Sequence, residues 1–242
     1  MTTTAVNAWT SYAEKLIDTA HAINRTGSMM WGHSPSNVEL LAVILLARTT
    51  RHLRGVLILL PAGLLVEAHT LARSCFENLL WIAGLATEGD KFIEMMKDND
   101  TRMKQSKGQR LIEHPIVVKN LDDKEEKLRA WIEESKKVSP QAKLLKPVDV
   151  AKIGKIESAY IFYSDLSSDA HPSFDALDRH YTTASIIAEP LPTSAEIEET
   201  LNLACLAMHG ACGHVNDLLG GTLGGKDLDA LTAEYKRLVT RV

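Results

Sequence analysis

From Gly63 to Thr87 the chain reads GLLVEAHTLARSCFENLLWIAGLAT, a segment with helical periodicity and apolar residues on nearly every face. A helix of that kind needs cover on all sides, so it belongs in the middle of a bundle. The rest of the 242-residue chain agrees with a bundle, because apolar positions recur at helical spacing and alternating strand-like runs are hard to find. Aromatic residues make up only 5% and turn residues are sparse (8 Pro, 14 Gly), which disfavours sandwiches and barrels of many short strands. The expected fold class is therefore all-α: a single helical domain over 1–242, with a helical bundle of four to five core helices built around the third, sixth and long C-terminal helices. A charged helical arm over 91–155 is expected as an insertion within it.

The helical pattern predicts eight or nine helices. The first spans about Thr4 to Arg25, and the second starts at the Ser34 cap with Pro35 behind it and runs to about Leu60. Pro61 and Gly63 interrupt the chain before the third helix. Two amphipathic helices follow, near Asp90 to Glu113 and Asp122 to Val138, then a loose link QAKLLKPVDVAKIGK and a sixth helix over about Ile156 to Ala170. His171-Pro172 ends that helix, and an irregular segment leads into an extended stretch reaching Pro192. Ser194, followed by Glu196, Glu198 and Glu199, opens a long helix through Leu219; LGGTLGG closes it, and Asp227 caps a last helix to about Val239.

Lys+Arg 27 against Asp+Glu 31 leaves a net charge of -4, which argues against wholesale electrostatic binding of nucleic acid or membranes. The charge is uneven, however: residues 91–155 hold 16 of the 27 basic residues and 11 acidic ones, a local +5 that leaves -9 elsewhere. A solvated mixed-charge face explains that arm, and a nucleic-acid surface is the alternative. Three cysteines without repeated spacing imply no disulfide framework. The N-terminus has no signal-peptide pattern, and Arg48, Arg51, His52 and Arg54 interrupt the most apolar stretch, so a cytoplasmic protein with no membrane partner is expected.

Two polar constellations stand out. Tyr160, Ser164, Ser167 and His171 lie at i, i+4, i+7 and i+11, one stripe down one face of the sixth helix, with Tyr163 beside it. His171 ends that stripe in the last turn, where an imidazole suits a proton donor or an anion contact, or simply caps the last carbonyls. On the third helix, Arg73 and Glu77 lie at i, i+4 within an apolar segment, so Glu77 is the expected partner of the Arg73 charge. That pair either fixes helix register or aims the guanidinium at a phosphate or carboxylate near His171.

Taken together, AHTLARSCFENLLWIAG resembles the Leu-x-Arg-Ser-x-x-Glu helix, and YSDLSSDAHPS the Tyr-x-x-Leu-Ser-x-x-x-His-Pro helix end, of a bacterial helical domain family of unassigned function connected with the higher-eukaryote and prokaryote nucleotide-binding (HEPN) superfamily. The resemblance covers about Glu39 to Phe174. It implies a bundle, often a homodimer, among metal-independent RNA-cleaving toxins and phage-defence effectors in which an Arg and a His with four to six residues between them act at one helix end. Here Ser164, Asp165 and Leu166 occupy the places of that Arg before His171, so Arg73 from the neighbouring helix is the cation the resemblance leaves. The implied activity is metal-independent action on RNA or a nucleotide, with His171 as acid/base, Arg73 as phosphate clamp, Glu77 as its orienter and Tyr160, Tyr163, Ser164 and Ser167 as binding partners. The alternative is a non-catalytic, antitoxin-like module in which these residues form a structural network.

No cofactor and no metal is expected. Cys205, His209 and Cys212 share a helix face but lack a fourth ligand and read as core. GGTLGGKD joins two helices and lacks the closing Ser/Thr of a phosphate-binding loop. His171, Asp175, Asp178 and His180 fit a loop around a proline. The all-round apolar third helix further suggests a homodimer sharing a helical face.

Overall fold

The computed structural model describes residues 4–28, 38–114, 124–171, 174–180 and 191–240, and among them every regular element is helical. The order is α1 (Thr4–Ser28), α2 (Val38–Leu59), α3 (Leu65–Glu88), α4 (Asp90–Glu113), α5 (Lys124–Val138), α6 (Pro147–Ile153), α7 (Glu157–Ala170), α8 (Phe174–His180) and α9 (Ser194–Leu218). A 3-10 turn (Gly224–Asp227) then leads into α10 (Leu228–Val239). The all-α expectation holds. The Ser34-Pro35 start of the second helix and the extended stretch over 181–190 lie outside the described residues.

α3 occupies the centre. α2, α9, α7 and α6 all pack on it, and Phe76, Leu80, Ile82 and Leu85 are fully buried among them. Most of α3 thus finds its cover inside one chain. α1 closes the far side against α2 and α9, and α10 lies on α1. α4 and α5 pair with each other, and α4 reaches α3, so the basic segment stands beside the bundle.

Turn chemistry fixes several helix ends. After α2, Gly63 takes φ +82°, donating its N–H to the Leu60 carbonyl while Leu64 N–H reaches the Leu59 carbonyl, each at 3.0 Å. That pair of bonds is a Schellman stop, and glycine supplies the left-handed residue it needs. The same pattern follows α6, where Lys155 donates to Lys152 and Ile156 to Ala151, but the left-handed position holds a lysine at φ +55°. A side chain is strained there, so Lys155→Gly is expected to raise stability by about 0.5 kcal/mol, after allowing for glycine's larger unfolded-state entropy. Urea denaturation checks this, and a lower midpoint for the variant contradicts it.

Four points differ from the sequence reading. The link after α5 contains a helix, α6, opened by Pro147 at its first turn. The segment after Pro172 contains α8. α9 is capped one residue earlier than expected: the Thr193 hydroxyl accepts from Glu196 N–H (3.3 Å) while the Glu196 carboxylate accepts from Thr193 N–H (2.7 Å), a complete capping box. Asp227 makes no side-chain cap, because the 3-10 turn already feeds α10.

Candidate functional site

α3 and α7 run antiparallel, so residues rising along one meet residues falling along the other. His69 meets Asp169, Arg73 meets Ser167 and Tyr163, and Phe76 stacks on Phe162 with ring centres 5.7 Å apart. The seam therefore brings Arg73 of one predicted constellation to Ser167 and Tyr163 of the other.

Arg73 is the hub. Its Nε donates to Ser167 Oγ (2.8 Å) and one Nη donates to Tyr163 Oη (2.6 Å). The guanidinium carbon also lies 4.7 Å from the Tyr163 ring centre, a cation–π distance. Ser167 spends its only proton on the Tyr163 carbonyl (2.7 Å), which leaves its oxygen free to accept from Arg73. Glu77 stands further off, with Oε2 3.7 Å from the other Nη. The close partners thus come from α7, and Glu77 contributes a longer electrostatic attraction. Two of the five guanidinium N–H groups are used by hydrogen bonds among the described residues.

The remaining predicted residues fall around this hub. Tyr160 joins it by stacking on Tyr163 at 5.9 Å. Ser164 is exposed, and its carbonyl accepts from Ser168 Oγ at 3.3 Å. His171 is exposed just past the end of α7, one turn beyond Ser167, and makes no bond to Arg73 among the described residues.

A further group was not anticipated. His69, one turn before Arg73 on α3, lies with Nδ1 3.0 Å from Asp169 Oδ2 and Nε2 2.9 Å from Thr200 Oγ1 on α9. Thr200 gives its own proton to the Glu196 carbonyl (2.7 Å), so it accepts from His69 and places a proton on Nε2. The Asp169 carboxylate stands at hydrogen-bond distance from Nδ1 but out of line with it, a polar contact between two largely buried side chains. One histidine thereby ties α3, α7 and α9 together beside a cavity of about 250 Å³ lined by Phe162, Asp165, Asp169 and Glu199 among others. The available signal was the stripe His69, Arg73, Glu77 at i, i+4 and i+8.

The residues weighed as metal ligands are used otherwise. His209 Nδ1 accepts from Tyr12 Oη (2.8 Å), and its Nε2 donates to Thr232 Oγ1 (2.9 Å), whose proton goes to the Leu228 carbonyl (2.8 Å). Burial pushes the Cys75 and Cys212 thiols up to about 12 and that of Cys205 upward too, so all three stay protonated. No cluster of three metal-binding side chains occurs among the described residues, and the Asp175 and His180 side chains lie outside them.

Burial also lowers the proton affinity of His209, His214 and His52, the last with help from Arg48. The unfolded chain then binds protons that the folded one refuses, starting near the ordinary histidine value of about 6.5. Stability is expected to fall as pH drops below about 6.5 and to be flat just above it. Melting midpoints across that range check the sign, and a midpoint that rises on acidification contradicts it.

Among the described residues, no helix is long and apolar enough to cross a membrane. No curated protein and no solved structure matches the chain. A family described as "Family of unknown function (DUF5677)" matches residues 39–185, a span that includes α3, α7 and the whole Arg73 hub. The chain belongs to that family of unknown function, DUF5677.

Proposed function

We propose that the protein is HEPN-like and acts on RNA or a nucleotide, cleaving single-stranded RNA without metal as toxins and phage-defence effectors of that superfamily do. The observation that carries this reading is the Arg73 guanidinium of α3, fixed across the seam by Ser167 and Tyr163 with N–H groups to spare, while the α7 helix that holds it ends in exposed His171. A fixed cation stabilises the extra negative charge of a pentavalent phosphate, and an imidazole takes the proton of an attacking hydroxyl.

In the step, the ribose 2′-oxygen bonds to the adjacent phosphorus as His171 takes its proton. The bond from phosphorus to the 5′-oxygen then breaks, and that oxygen is protonated from water or from His171 itself. A 2′,3′-cyclic phosphate and a 5′-hydroxyl result, with no oxidation or reduction. Glu77 holds the charge of Arg73 in place, while Ser164 and Tyr160 offer hydrogen bonds along the strand.

One observation favours a second reading. Tyr163 both accepts a hydrogen bond from Arg73 and stacks beneath it, as a structural rivet would. In that case the protein is a non-catalytic, antitoxin-like helical module. His171→Ala separates the two. Because His171 is exposed, the change is expected to leave helical circular dichroism and melting intact, and catalysis predicts a fall in RNA cleavage of about a hundred- to ten-thousandfold. Unchanged cleavage, or none in the wild type, favours the module.

A further inference from the structure

Beside Glu77 the basic arm meets the bundle in a groove of about 880 Å³, within the size range of small-molecule sites. Its walls are α4, the connector before α6, and the Glu77–Trp81 edge of α3. The connector is pinned there by Leu145 N–H, which donates to Asn99 Oδ1 at 2.8 Å. Apolar surface comes from Trp81, Leu111, Met103 and Leu144, the last two more than half exposed.

The charges at the rim do not cancel. Glu77 faces Arg73, and Asp100 holds Lys104 at 2.6 Å, so both carboxylates have their own cations. Lys107, Arg110 and Lys146 also line the groove and form no ion pair among the described residues. The lining holds four cations against two carboxylates, and an apolar, partly aromatic floor under that surplus asks for a ligand with a flat apolar body and an anionic group. Asn99 and Ser106 line it too; Asn99 Oδ1 already accepts from Leu145 N–H and Ser106 Oγ from Arg110 at 3.2 Å, which leaves the second Asn99 lone pair and the Ser106 proton for a polar edge. An acyl chain leaves those polar groups unused, whereas a nucleotide supplies ring, polar edge and phosphate together.

We infer that this groove binds a nucleotide unit, with its base on the Trp81–Leu144 surface and its phosphate on Lys107, Arg110 and Lys146. The inference rests on the reading above that the substrate is RNA or a nucleotide, and it gives the basic arm a binding role next to the Arg73 hub. The unit is either a free mononucleotide or one residue of a single strand, since both present the same chemistry.

The test measures binding of a labelled short single-stranded RNA to the full chain by fluorescence anisotropy, with AMP as competitor and salt varied. The exposed double variant Lys107→Glu/Lys146→Glu is expected to weaken binding at least about tenfold and to lower the slope of log affinity against log salt by about two, with circular dichroism unchanged. Leu144→Asp, also exposed, is expected to weaken binding without that change in slope. Displacement by AMP identifies a free nucleotide as a sufficient ligand, and RNA binding without such displacement identifies the strand. Unchanged affinity and slope in the double variant overturn the groove while leaving the Arg73–His171 reading standing. Binding lost in the double variant while wild type cleaves no RNA keeps the groove and overturns that reading. A wild type that binds neither RNA nor AMP overturns both.

Discussion

Asp169→Ala is expected to destabilise the fold by roughly 3 kcal/mol, because it removes a carboxylate 7% exposed that stands 3.0 Å from the largely buried His69 ring at the meeting of three helices. His69 is held in place by its Nε2, which donates to Thr200, whose own proton goes to the Glu196 carbonyl. Removing the carboxylate takes away the polar neighbour of Nδ1 and enlarges the adjoining cavity. Three helices meet at that histidine, so the loss is global: the urea midpoint falls with an unchanged m-value. Asp169→Asn, which keeps the shape, loses less. A variant within about 0.5 kcal/mol of wild type contradicts the cross-link.

Arg73→Lys is expected to reduce RNA cleavage by about a hundredfold or more although the positive charge is kept. A guanidinium bonds Ser167 through Nε and Tyr163 through Nη at once and keeps further N–H groups, whereas an ammonium on a flexible stem cannot reproduce that geometry. Steady-state kinetics should place the loss in kcat, because the clamp is strongest on the pentavalent phosphate. The rivet alternative predicts another pattern: a lowered melting midpoint in Arg73→Lys, and no RNA cleavage by either protein.

The architecture was legible because α3 is apolar all round and can only sit at a centre, and because Gly63 and LGGTLGG punctuate the helices where the chain turns. α6 was hidden by its length: seven residues are too few for a periodicity to register, and only Pro147 marks its start. At Thr193 the capping-box spacing to Glu196 was readable, but Ser194 beside it is an equally good cap type.

For the site, i, i+4 spacing pairs Arg73 with Glu77 on one helix. The closer bonds, to Ser167 and Tyr163, depend on the antiparallel register of α3 and α7, which no local pattern encodes. The same holds for His69, Asp169 and Thr200, brought together from three helices. The groove lay beyond reach for a further reason: its basic residues are scattered through a mixed-charge arm, and only folding separates the cations with acidic partners from Lys107, Arg110 and Lys146.

The most direct measurement is end-group analysis of single-stranded RNA incubated with the purified wild-type protein in EDTA. Metal-independent cleavage at the Arg73–His171 site predicts fragments ending in a 2′,3′-cyclic phosphate with 5′-hydroxyl partners, at an undiminished rate in chelator and absent with His171→Ala. Intact RNA under those conditions, or fragments that appear only with added magnesium and end in a 5′-phosphate, would contradict it.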